Sequence, residues 1–129
     1  MMPEEYYFEE GCYIIELHNT PADPVVSVAR ARVEPGRTTR WHSLVDTEER
    51  YLIIAGTGRV EVGDQAPRIV EPGEGAQIPA GCRQRITNIG EADLIFLAVC
   101  TPRFLPAVYR DLEHTEDPPP ASPASTTTV

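Results

Sequence analysis

One imidazole and one carboxylate, His42 and Glu49, are the best candidates in this chain for joint chemistry. Both lie between Gly36 and Gly56, on either side of a short loop at Val45-Asp46-Thr47. Side chains on a strand alternate between its two faces. Arg40, His42 and Leu44 therefore share one face of a strand expected over 38–44. Glu49, Tyr51 and Ile53 share one face of a strand expected over 49–55. If these faces oppose each other, His42 and Glu49 point into one interior. Such a pair can pass a proton, because imidazole titrates near neutrality. It can also offer a nitrogen and an oxygen to a divalent metal. A third reading has no metal: a buried histidine and a buried carboxylate that satisfy each other. Gln84, on a further strand over 84–88, can hydrogen-bond within that interior.

The rest of the chain must position these residues. Apolar segments of strand length recur throughout, cut by Gly/Pro turns about every ten residues. Strands are expected over 12–18, 25–33, 38–44, 49–55, 59–62, 68–70, 76–78, 84–88 and 93–100. On the second of these, Ser27, Ala29 and Ala31 share one face, with Val26, Val28, Arg30 and Arg32 on the other. Many short strands with such turns indicate a β-sandwich or small barrel. The one helix expected is at 106–113, with proline in its first turn and Leu105, Val108, Tyr109 and Leu112 at helical spacing. Residues 1–10 form an acidic arm whose aromatics suggest packing. Residues 115–129 are rich in Pro, Ser and Thr and are expected to be disordered. The organisation is thus one barrel domain over 1–114, arm included, and a tail over 115–129.

Composition removes several functional classes. The formal net charge is -9, which repels phosphate backbones and anionic lipid, so neither nucleic acid nor membrane is an expected partner. No apolar run approaches the length of a membrane span. The three cysteines, Cys12, Cys82 and Cys100, have neither disulfide-framework nor zinc spacing, and indicate a reducing, cytoplasmic setting. The chain has no lysine, which excludes Schiff-base chemistry through its own side chains. No Gly-x-Ser-x-Gly nucleophile turn occurs.

Two spaced motifs resemble those of the cupins, the double-stranded β-helix or jelly-roll family. The first family motif runs Gly, five residues, His-x-His, three or four residues, Glu, six residues, Gly. Gly36, His42, Glu49 and Gly56 match it. The second runs Gly, five residues, Pro-x-Gly, two residues, His, three residues, Asn. Gly73, Pro79, Gly81 and Asn88 match it. The resemblance implies an all-β cupin barrel with a short C-terminal helix, and a metal held by three histidines and the glutamate. Two of those histidine positions carry Leu44 and Gln84 here. The implied set is reduced to His42, Glu49 and Gln84, holding iron, manganese, nickel or zinc only weakly.

The resemblance then supports two expectations. One is a cupin that binds a divalent metal weakly and acts on a small polar molecule, with His42 and Glu49 as catalytic pair. The other is a non-catalytic small-molecule binding or sensing cupin without metal. In either, Arg40, Leu44 and Tyr51 are expected around the ligand cavity, Arg40 meeting an anionic ligand or serving as a rim residue. Trp41 is expected in core or dimer packing, and Arg83 and Arg85 face away from the cavity. Apolar residues on both faces of the strand over 49–55 suggest a homodimer.

Overall fold

A computed structural model describes residues 4–113, which short turns, most of them with Gly or Pro, divide into eleven short strands in two antiparallel sheets. The expected tail over 115–129 lies outside the described residues. The larger sheet has the order β1 (Glu5–Phe8), β2 (Cys12–His18), β3 (Ser27–Val33), β10 (Leu94–Thr101), β5 (Glu48–Ala55) and β8 (Gly75–Ile78). The smaller has the order β11 (Tyr109–Asp111), β4 (His42–Leu44), β9 (Gln84–Asn88), β6 (Gly58–Val62) and β7 (Arg68–Val70). The all-β jelly roll is therefore present.

Alternation governs which side chains fill the interior. Along β5, Glu49, Tyr51 and Ile53 are buried, while Arg50, Leu52 and Ile54 are exposed. Val33, Ile53, Val60, Val70, Ile78, Ile86, Leu94 and Phe96 form the core between the sheets. Burying each such side chain contributes about 1.5–3 kcal/mol. Gly56 ends β5 at φ 85°, and a Cβ there would lie 2.6 Å from the Asp93 carbonyl oxygen. A side chain at this position would push the β5–β6 turn away from β10.

Register explains why the barrel is not packed solid at one end. Ala29 of β3 lies between Glu16 of β2 and Ala98 of β10, and Ala98 lies beside Tyr51 of β5. The adjoining row runs Ile14, Ala31, Phe96, Ile53. The row on the other side runs Ser27, Cys100, Glu49. Small side chains at 27, 29, 31 and 98 therefore share the inner face of neighbouring strands. They leave a cavity of about 70 Å³.

Two segments differ from expectation. The arm is an ordered strand, β1, paired with β2 through a turn at Glu9-Glu10-Gly11. The helix expected over 106–113 is instead a single 3-10 turn, Pro106–Val108, followed by β11. The reason lies in β4, whose edge away from β9 would otherwise leave its peptide groups unpaired. Tyr109, Arg110 and Asp111 pair with Leu44, Ser43 and His42, and the Leu112 N–H donates to the Trp41 carbonyl. A helix would satisfy its own backbone and leave that edge open. No helix among the described residues is long and apolar enough to cross a membrane.

Candidate functional site

Glu49 is the central side chain of the site. It is 8% exposed, it lines the cavity, and its Oε1 has no hydrogen-bond partner. An unpaired buried oxygen is costly, so its presence at a cavity wall marks a point where a ligand can bind. Burial pushes the Glu49 carboxyl up to about 7, and the Glu10 charge adds to the rise. The His42 charge and hydrogen bonds from Gln84 and Cys100 oppose it.

Sequence reasoning did not identify Glu10. It sits in the β1–β2 turn, where its carbonyl accepts a hydrogen bond from the Arg40 N–H at 2.8 Å. That bond fixes the turn over the barrel end and directs the Glu10 side chain inward, where it lines the cavity. Its Oε1 lies 3.4 Å from His42 Nε2, and its side chain is 13% exposed. Burial pushes the Glu10 carboxyl up to about 8, against a smaller opposing effect of the Cys12 thiol. One signal for it was present: Tyr6, Phe8 and Glu10 share parity, and Gly11 supplies a turn glycine at φ 106°.

His42 is fully buried and lies behind Glu10 rather than on the cavity wall. Its Nδ1 is 2.6 Å from the Arg40 carbonyl oxygen. A carbonyl only accepts, so Nδ1 carries the proton. In the neutral ring Nε2 is then the lone-pair nitrogen, and it faces Glu10. Burial lowers the His42 pKa, with the Glu49 charge acting the other way. Near neutrality the pair is thus a neutral imidazole facing a carboxyl that can donate a proton to it. The Tyr109 ring stacks on His42 at 5.4 Å.

Gln84 pairs with His42 across β4 and β9 and is buried. Its Oε1 already accepts a 2.5 Å hydrogen bond from the Tyr51 hydroxyl. Tyr51 lines the cavity and packs against Phe96, ring centroids 4.4 Å apart. Leu44 is buried opposite Tyr109 and does not line the cavity. Arg40 also lies off the cavity wall: its guanidinium makes two bonds to Asp111, at 3.0 and 2.9 Å, and one to the Glu113 carbonyl. The cause is that β4 begins only at His42, so strand alternation does not extend back to Arg40. The guanidinium groups of Arg83 and Arg85 lie over the Trp41 ring, at 4.5 and 4.4 Å from its centre.

The expected metal ligands do not form a ready set. One lone pair of the Gln84 oxygen takes the Tyr51 hydrogen bond, and His42 Nε2 faces Glu10. Among the described residues no three His, Cys, Asp or Glu side chains are grouped to hold a metal ion. What the arrangement offers is hydrogen bonding and proton exchange at Glu49 and Glu10.

Two antiparallel sheets around one acid-lined cavity define a small jelly-roll barrel. The family model described as "Cupin domain" matches residues 29–100, and the chain belongs to that family. Oxalate decarboxylase of Lactobacillus farciminis, in a formate complex, is similar in structure at TM-score 0.73 and 23% identity, over 85% of this chain and 33% of that one. This chain thus spans about a third of that protein. A Klebsiella pneumoniae protein with a double-stranded β-helix domain aligns at TM-score 0.69 and 17% identity, over 82% of this chain and 88% of that one. KdgF from Halomonas sp. aligns at TM-score 0.69 and 17% identity, over 78% and 89%. At these identities the likeness is one of fold. No curated protein matches the chain.

Proposed function

We propose that this cupin is a small-molecule binding module whose cavity works through carboxyl protons rather than through a metal. The observation that carries this reading is the free Glu49 Oε1 at the wall of the 70 Å³ cavity. A ligand group that bonds this oxygen removes an unsatisfied buried acceptor, which favours the bound state beyond the ligand's own contacts. Apolar walls at Phe8, Ile14 and Phe96 supply burial, and a few polar atoms supply orientation.

The weak metal site implied by the resemblance fits this arrangement poorly. One of the two lone pairs of the Gln84 oxygen already takes the Tyr51 hydrogen bond, and ligation through His42 Nε2 requires displacing Glu10. An anionic ligand fits poorly too. Oxalate, in the name of one structural neighbour, would face Glu10, Glu16 and Glu49, with Arg40 engaged elsewhere.

The test is a thermal-shift screen of small polar molecules on the parent, Glu49→Gln and Ala98→Leu chains. The reading expects ligands that raise Tm in the parent, lose that effect when Ala98→Leu fills the cavity, and weaken with Glu49→Gln. Ligands that act equally on all three chains contradict it.

A further inference from the structure

The cavity combines one sign of charge with aromatic surface. Glu10, Glu16 and Glu49 line it, and its described lining residues include no arginine or histidine. The rings of Tyr6, Phe8, Tyr51, Phe96 and Phe104 also line it. As its carboxyls ionise, such a cleft takes one sign of charge and concentrates field lines on whatever enters. Aromatic faces attract cations through their quadrupoles, and more strongly when water is excluded. A buried carboxyl keeps its proton because burial strips the water that would solvate its charge, a loss that a cation beside it offsets, and Glu49 has an unpartnered oxygen at the wall.

We infer that the ligand is a small organic ammonium ion, its N–H groups on Glu49 and Glu10 and its carbon part against the cavity rings. This inference rests on the binding reading above and names the ligand class for that same cavity. A cation on Glu49 offsets the cost of ionising it in an apolar setting. A neutral alcohol can use the free oxygen but gains nothing from the second and third carboxyls. A carboxylate finds no cation on the wall and opposes ionisation of both buried carboxyls.

The groups facing Glu49 set the pH dependence. They are His42 from β4, Glu10 from the β1–β2 turn, Gln84 from β9, Cys100 from β10, Cys12 from β2, and Tyr51 on its own strand. Burial keeps the Cys12, Cys100 and Tyr51 groups protonated well above neutrality, and His42 neutral. The titration that matters is therefore that of the two carboxyls. Ammonium binding ionises them, so protons leave on binding, and affinity rises at least tenfold from pH 6 to pH 8, Glu49 alone giving about tenfold and Glu10 adding to it.

Isothermal titration of the full chain with propylamine and benzylamine, beside propanol, benzyl alcohol and benzoate, tests this. The expected result is binding of an amine at least tenfold tighter than of its alcohol, with proton release measured in buffers of different ionisation enthalpy. Benzoate binding is expected to be undetectable. Glu49→Gln should weaken the amine at least tenfold and the alcohol by no more than about threefold. If alcohols match the amines and Ala98→Leu abolishes both, the ammonium inference falls and the binding cavity stands. If benzoate binds best, the inference also falls. If no probe binds at either pH, both readings fall.

Discussion

Replacing Glu49 with glutamine keeps the side chain's shape and removes its titratable proton. In the folded chain the Glu49 carboxyl titrates at about 7 rather than at its ordinary 4.5. At pH well below 4.5 it is protonated in both folded and unfolded chains and contributes no difference. As pH rises past 4.5 the unfolded chain releases the proton and the folded chain keeps it. Folded stability therefore falls until pH passes 7, and is level beyond. Each tenfold in proton affinity corresponds to about 1.4 kcal/mol, so the parent loses ~3 kcal/mol through this one group. That is a sizeable part of the 5–15 kcal/mol typical of a domain. The Glu49→Gln chain lacks this loss. Urea unfolding of both chains at about pH 4 and about pH 8 reads the effect directly. The variant is expected to gain ~3 kcal/mol on the parent between the two conditions. A parent–variant gap that stays flat with pH would refute the reasoning, because a solvated Glu49 gives that result.

The Glu10→Gln chain should show the same sign over a wider window, its gain on the parent continuing to about pH 8; the same unfolding series checks it. Tyr51→Phe removes the donor from the buried Gln84 oxygen and should cost about 1–3 kcal/mol in urea unfolding, whereas a chain as stable as the parent would mean that Gln84 finds another donor. Dialysis against a strong chelator should leave Tm within a degree or so of the parent, since the Gln84 and His42 groups are already bonded within the protein. A drop of several degrees, restored by zinc, manganese, nickel or iron, would contradict that expectation.

The strands were legible because the interior imposes a period of two on β5, and the turn glycines fall where the two motifs require them. Glu49 and Tyr51 face inward for the same reason, and that much of the site follows from alternation alone. Arg40 shows where alternation stops: it precedes the first residue of β4, and Asp111 holds its guanidinium. Leu105, Val108, Tyr109 and Leu112 carry a helical apolar spacing, but the open edge of β4 outweighs it, an edge created by residues some 65 positions before β11. Glu10 was hidden for a related reason. Its role depends on an N–H from Arg40, thirty residues along the chain, which no local pattern encodes. Register also decides the cavity: Ala29, Ala31 and Ala98 look like ordinary small residues until β3 and β10 place them side by side.

The central claim is that Glu49 offers the cavity a buried, proton-holding carboxyl that a ligand engages. Carbon-13 NMR of the glutamate side-chain carboxyls, titrated with and without benzylamine and assigned with Glu49→Gln, tests it most directly. The account predicts a Glu49 midpoint about 7 in the free chain, moving downward when the amine is present. A midpoint near the ordinary 4.5, unmoved by the amine, would contradict it.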